Sequence, residues 1–243
     1  MGSLLVAIPA FNEEKTIRGV IREIFHHLPT ADVVVVNDGS KDSTKRVVQE
    51  LGVLQIQHCT NIGYGRAVQT ALKFARRHGY EALATIDGDG QHEPADLADL
   101  VDRFLDSRVD LLIGSRYKAL GNYNYASPDR RAGMLFFSLL TRALTGRRIF
   151  DTTSGLRVIR ETTFDALARW RFVDFHSEAI VYLLRLGYSI EEHAITTRMR
   201  VHGGSMYGGL NGLAYPIKTL TMAVLGIIEA EYYRIHVKKG IET

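Results

Sequence analysis

Apolar residues recur along the first half of this chain in two rhythms. Short continuous runs occupy 4–8, 32–37, 53–57, 82–86 and 110–114. Between them, apolar positions return at helical spacing. Ile17, Val20, Ile21, Ile24, Phe25 and Leu28 stripe the segment 13–28, and Leu97, Leu100, Val101 and Phe104 stripe 94–105. Further helices are expected over 41–51 and 63–78. The continuous runs predict strands and the stripes predict helices with one face inward. Positions 33–36 are all valine, which fits a strand covered on both faces. Strand and helix alternating at this spacing predict an α/β fold, a mostly parallel mixed sheet with helices on both faces. In such sheets ligands bind beyond the carboxyl ends of the strands.

The polar residues that interrupt these runs fall at those ends. Pro9-Ala10-Phe11-Asn12-Glu13-Glu14 follows the first strand and Asn37-Asp38-Gly39-Ser40 the second. Asp87-Gly88-Asp89-Gly90-Gln91 and Gly114-Ser115-Arg116 follow later ones. Turn preference explains any one of these loops. It explains less well why each carries carboxylates or an arginine. Oxygen ligands from Asp87, Asp89 and Gln91 suit a hard divalent cation, Mg²⁺ or Mn²⁺. The competing reading is a glycine-aspartate turn ahead of the next helix.

Composition narrows the classes. A chain of 243 residues with 46% apolar and 23% charged residues is an ordinary globular length and balance. The net charge of +3 is too small to argue for nucleic acid. A single cysteine, Cys59, excludes an internal disulfide and a cysteine zinc site. The N-terminus lacks a basic region and a cleavage site, so no signal peptide is expected. No apolar run is long enough to span a bilayer. Two segments nevertheless suit a lipid interface. Between 130 and 148, arginines 130, 131, 142, 147 and 148 interleave with Met134, Leu135, Phe136, Phe137, Leu139, Leu140 and Leu144. From 210 to 237, apolar residues end in Tyr232, Tyr233 and Arg234. These predict a peripheral protein on the cytoplasmic face of the membrane, although a core helix would share part of the pattern.

The ordered segments IPAFNEE, VVVNDGSKDST, NIGYGRAVQTAL, TIDGDGQHEP, GSR and DTTSGLRVIR resemble those of family 2 glycosyltransferases of the GT-A fold. Within that family the chain is most similar to dolichol- and polyprenol-phosphate hexose synthases, which share the Asp-x-Asp-x-Gln form. The resemblance runs from about residue 4 to 205. It implies a Rossmann-like catalytic domain over 1–209 and a helical extension over 210–243. It implies inverting transfer of a hexose from a nucleotide sugar, GDP-mannose or a UDP-hexose, to a polyprenyl phosphate. Pro9, Phe11, Glu13, Asp38, Gly63 and Gly65 then match donor nucleotide contacts, with Asp38 on the base. Asp87, Asp89 and Gln91 match the metal and diphosphate site, Asp89 being central to catalysis. Arg200 and Ser205 match a late loop over the diphosphate. Met206 stands where relatives often carry lysine, and Arg198 is a candidate substitute. Arg116, Arg130 and Arg131 are candidate clamps for an acceptor phosphate.

The acceptor decides what else is needed. A hydroxyl acceptor requires a carboxylate base, and Asp151 or Glu178 stands where one would be expected. A lipid phosphate is already anionic and needs cations instead. His176 precedes Glu178 at an expected helix start. A non-catalytic nucleotide-binding module is the remaining alternative, although it has no evident use for both an acidic pair and an arginine-rich region. No oligomeric state can be read.

Overall fold

The computed structural model describes residues 3–118, 128–169, 175–195 and 211–238. In chain order the elements are β1 (Leu4–Ala10), α1 (Ile17–His27), β2 (Asp32–Asn37), α2 (Thr44–Glu50), β3 (Leu54–Gln57), α3 (Tyr64–Arg77), β4 (Ala82–Thr85), α4 (Pro94–Asp106), β5 (Leu111–Ser115) and α5 (Pro128–Thr145). They continue with β6 (Arg157–Arg160), α6 (Phe164–Arg169), α7 (Ser177–Arg185), β7 (Ile190–Ala194) and α8 (Asn211–Tyr233). The strands form one sheet in the order β3-β2-β1-β4-β6-β5-β7.

The two-residue period of a strand sorts its side chains onto two covered faces. Leu5, Ala7, Val34 and Val36 face a cluster that includes Ala67, Leu72, Leu167 and Ile180 of α3, α6 and α7. Val6, Ile8, Val33 and Val35 face Ile17, Ile21, Leu97 and Phe104 of α1 and α4. This two-sided burial is why the valine run shows no alternation with polar residues.

One strand breaks the expected pattern. β6 runs antiparallel to β4 and to β5, with Thr85 opposite Arg157 and Ile113 opposite Arg157 on the other side. The remaining pairings are parallel. The helix expected from residue 13 starts at Ile17, because Asn12 takes a left-handed φ of 59° and Glu13 O closes a turn onto the Thr16 and Ile17 N–H groups.

The chain leaves β1 toward β2 and β3 on one side and returns through β4 on the other, so the order reverses between β1 and β4. A crevice at such a reversal is where sheets of this kind bind ligands. At the far side, α8 lies along α7. Its Ala223, Ala230 and Tyr233 are buried, while Leu220, Val224, Leu225, Ile228 and Tyr232 stay exposed. Among the described residues, no helix is long and apolar enough to cross a membrane.

Candidate active site

The loops after β1, β2 and β4 are laced together at the reversal point. Ser40 Oγ accepts the Asn12 N–H at 3.0 Å, and Thr44 Oγ1 accepts the Glu13 N–H at 2.8 Å. Thr16 Oγ1 donates to Gly88 O at 2.7 Å and also contacts the Glu13 carboxylate at 3.1 Å. Glu13 is half-buried at this seam, Phe11 is 41% exposed at its lip, and Pro9 is buried within β1 opposite Val36. The Phe11 ring is therefore open at the surface, whereas the Pro9 side chain is enclosed.

Asp38 emerges from β2 almost fully buried. Its carboxylate accepts the N–H groups of Ile62 and Gly63 at 3.0 and 2.8 Å and meets His58 Nδ1 at 2.7 Å. His58 Nε2 lies 3.0 Å from Thr70 Oγ1. Asp38 thus seats the 58–63 loop. Two glycines permit this seat. A Cβ on Gly39 would strike the Thr60 backbone, and Gly63 holds a φ of 100°.

Asp87 and Asp89 follow β4. The Asp89 carboxylate takes the Gln91 backbone N–H at 2.9 Å and the Gln91 side-chain amide at 2.5 Å. Asp87 keeps 31% side-chain exposure and meets buried His92 Nε2 at 3.7 Å. Loss of solvation pushes the Asp87 carboxyl above its ordinary value; His92 opposes this and Asp89 adds to it. Burial pushes the His92 imidazole down, and among the described residues its buried Nδ1 has no hydrogen-bond partner. A Cβ on Gly155 would collide with the Asp87 carboxylate, so only glycine leaves that carboxylate its place. Two carboxylates and an amide oxygen make an all-oxygen donor set. The chemistry fits Mg²⁺ or Mn²⁺ shared with substrate phosphates, the usual arrangement for such ions. Among the described residues, no three His, Cys, Asp or Glu side chains cluster to hold a metal alone.

Opposite these acids, Arg116 and Asp151 form a forked pair. Arg116 Nε and Nη2 each reach Asp151 oxygens at 2.7 Å, and the Arg116 backbone N–H adds a third contact at 3.0 Å. Asp151 is fully buried, while the Arg116 side chain keeps 14% exposure. Burial alone would raise the Asp151 carboxyl, but Arg116 overrides it and holds the group below its ordinary value. Glu192 on β7 fixes the approach, accepting the N–H groups of Phe150 and Asp151 at 2.9 and 2.8 Å. Arg157 is buried and braces the same loop, donating to the carbonyls of Ser154, Thr152 and Phe175 at 2.8, 2.9 and 2.7 Å.

Both candidate bases are engaged with the protein. Asp151, expected either to order the acceptor loop or to act as a base, is buried, held below its ordinary value and forked to Arg116. Glu178 is 2% exposed and turns back on its own helix, accepting the N–H groups of Phe175 and His176 at 2.8 and 3.2 Å. It caps α7, where a carboxylate also favours the positive end of the helix. His176 instead stacks on the ring of Tyr64, centroids 5.6 Å apart. Gly65 is buried at the start of α3.

Arg131 is exposed on α5. The Arg130 side chain, Arg198, Arg200, Ser205 and Met206 lie outside the described residues. Sequence reasoning missed His92, Tyr64, Gly155, Arg157 and Glu192 as parts of the site. For Tyr64, His92, Gly155 and Arg157 a place in the ordered motifs was the available signal, whereas Glu192 lies in none of them; residue type alone does not say what each touches.

The family model for "Glycosyl transferase family 2" matches residues 5–167. The chain is 30% identical over 214 residues to the UDP-N-acetylglucosamine–dolichyl-phosphate N-acetylglucosaminyltransferase of Methanococcus voltae, covering 80% of this chain and 85% of that one. It is 30% identical to the polyprenol monophosphomannose synthase of Mycolicibacterium smegmatis, over 85% and 82% of the two chains. Among solved structures it superposes on glucosyl-3-phosphoglycerate synthase from Mycobacterium tuberculosis with a TM-score of 0.69 at 18% identity, covering 94% of this chain and 80% of that one. That enzyme has also been crystallised with Mn²⁺, UDP and glucosyl-3-phosphoglycerate. The shared architecture is the GT-A fold.

Proposed function

Because this chain belongs to glycosyltransferase family 2, we propose that it moves a hexose from a nucleotide-diphosphate sugar to a polyprenyl phosphate, with inversion at the anomeric carbon. The observation that carries the choice of acceptor is the state of Asp151 and Glu178. The two carboxylates expected to deprotonate a hydroxyl are both committed to the fold. An acceptor phosphate needs no such base. It needs a positioned cation, and Arg116 is one. Its Nε and Nη2 are spent on Asp151, while Nη1 makes no hydrogen bond to a described residue. The Asp151 fork therefore aims the guanidinium and leaves one edge for an anion.

The donor lies across the β1–β4 reversal in this reading. Phe11, Glu13 and the loop seated on Asp38 and Gly63 surround the nucleoside, and the diphosphate reaches Asp87, Asp89 and Gln91. Arg200 and Ser205 are proposed to close over it, and Arg130 and Arg131 to assist Arg116. Asp89 and Gln91, with Asp87 beside them, would hold Mg²⁺ or Mn²⁺, which would supply charge neutralisation for the departing nucleoside diphosphate. An acceptor phosphate oxygen attacks the anomeric carbon from the opposite face. The bond from that carbon to the diphosphate breaks, and its electron pair leaves with the nucleotide.

The acceptor class also suits the surface. α5 exposes Leu135, Phe136 and Leu139 near Arg131 and Arg142, and α8 exposes its own apolar stripe. We propose that these faces rest on the inner leaflet of the cell membrane. Flotation with anionic vesicles at low salt tests this: protein that stays wholly in the soluble fraction refutes it.

The central test is a donor panel of GDP-mannose, UDP-glucose and UDP-N-acetylglucosamine, each with a short polyprenyl phosphate and Mg²⁺ or Mn²⁺, read by product mass. Glycosylated lipid phosphate is expected, abolished in Asp89→Ala and retained in Glu178→Gln. Transfer to a free sugar hydroxyl with none to lipid phosphate would overturn the proposal.

A further inference from the structure

Asp151 is gripped at two points. Its carboxylate is forked to Arg116, which follows β5. Its backbone N–H is held at 2.8 Å by Glu192 Oε1, from the middle of β7. The other oxygen of the same carboxylate, Oε2, accepts the Phe150 N–H at 2.9 Å. β5 and β7 are parallel, hydrogen-bonded neighbours, with Ile113 opposite Glu192. Both grips therefore come from one pair of strands. The segment they hold, 146–156, contains no helix or strand of its own. The Phe150 ring also meets cations: the Arg148 guanidinium lies 4.5 Å from its centroid and Lys118 Nζ lies 6.0 Å away. One half-buried carboxylate thus fixes two successive residues, and each of them contacts a basic side chain.

We propose that Glu192 is a positioning residue for the acceptor phosphate: its hold on the 150–151 backbone sets where Asp151 stands, and Asp151 sets where the open edge of Arg116 points. This rests on the reading that Arg116 binds an acceptor phosphate. Glu192 itself touches no substrate in it. The physical case is one of donors and acceptors. Hydrogen bonds from N–H groups to an anionic carboxylate are about twice as strong as neutral ones. An amide in the same place offers one oxygen, so one N–H loses its acceptor and faces an NH₂ group instead. The Asp151 backbone then shifts, and the fork carries the shift to the guanidinium. A misplacement of about 1 Å can cost about 100-fold in rate. The donor side should be spared. Thr152 and Ser154 keep their own anchor in Arg157, between Asp151 and the contact of Gly155 with Asp87.

The variant is Glu192→Gln, assayed with farnesyl phosphate and whichever nucleotide sugar of the panel the wild type turns over. KM is measured for each substrate, with circular dichroism and a urea melt confirming the fold at the assay temperature. KM for farnesyl phosphate is expected to rise about tenfold, with donor KM within about twofold of wild type. Arg116→Lys removes the fork. In that background the same change should add less than about twofold to the farnesyl phosphate KM, because both substitutions act through one guanidinium. An unchanged acceptor KM, a matching rise in donor KM, or full additivity with Arg116→Lys each overturns the inference while leaving the transferase proposal intact. Should Glu192→Gln not fold, Glu192→Asp, which keeps the charge and shortens the reach, is expected to show the same split. Loss of fold in both marks a purely structural residue and overturns the inference. An acceptor KM unmoved by Arg116→Lys alone removes the phosphate role of Arg116, and this inference falls with it.

Discussion

Replacing Asp151 with asparagine should destabilise the folded protein by about 3–5 kcal/mol. The size follows from the pair it breaks. Asp151 is inaccessible to solvent and Arg116 is nearly so. The fork supplies two contacts of 2.7 Å, and the backbone contact at 3.0 Å supplies a third. Asparagine keeps the shape and one acceptor oxygen but leaves the guanidinium enclosed without its counter-charge. Breaking one partner of a buried pair costs about this much, mainly through the uncompensated charge. With a urea dependence of about 3 kcal/mol per molar for a chain of this size, the unfolding midpoint should fall by about 1–1.7 M. Removing both charges, Arg116→Met with Asp151→Leu, should recover most of the loss. Urea melts followed by circular dichroism on wild type, Arg116→Met, Asp151→Leu and the double variant close a cycle that gives the coupling energy, with Asp151→Asn measured alongside. A midpoint shift below about 0.3 M for Asp151→Asn, or a double variant no more stable than that single one, would refute the reasoning.

Acid should act through the same carboxyl. Arg116 holds Asp151 below its ordinary value of 3.8, so its contribution is present above that value and fades as pH falls through the lower folded one. Wild type should lose stability below about pH 4, and Asp151→Asn should flatten that limb in a pH series of urea melts. Gly155→Ala should leave the fold intact by circular dichroism while lowering kcat/KM at least about tenfold, because the new methyl displaces Asp87; unchanged kinetics would show that this carboxylate has slack. Glu178→Gln should keep the pH–rate profile of wild type, since the amide oxygen still caps α7; loss of a basic limb would restore Glu178 as a proton acceptor.

The alternation of strand and helix was legible because burial on both faces leaves continuous apolar runs, as in Val33, Val34, Val35 and Val36. β6 escaped because it is four residues long with an arginine at each end. Its Arg157 is buried only because three carbonyls receive it, a fact no local pattern contains. β7 pairs along the sheet margin with Glu191, Glu192 and His193 in its run, which reads as a solvated segment. Among site residues, the types were readable and the partners were not. Asp38, Asp151 and Glu178 each carry the right chemistry for a ligand or a base, yet each is bound to the protein by bonds formed across 24, 35 and 3 positions of sequence. The Asp87–Gln91 turn was most legible because its glycines and carboxylates lie together in the chain.

The reversed direction of β6 separates how the two halves of the cleft are built. The acids, the Asp38 seat and Arg116 hang from the trailing ends of parallel strands. Asp151 and Gly155 instead arrive on chain that is about to enter a strand, with Arg157 opposite Thr85. On the proposed reading, changes in the chain ahead of residue 151 would remodel the acceptor side, while the parallel strand registers behind the donor side stay as they are. A scaffold wired in this way would let acceptors change over evolutionary time with the donor side left in place.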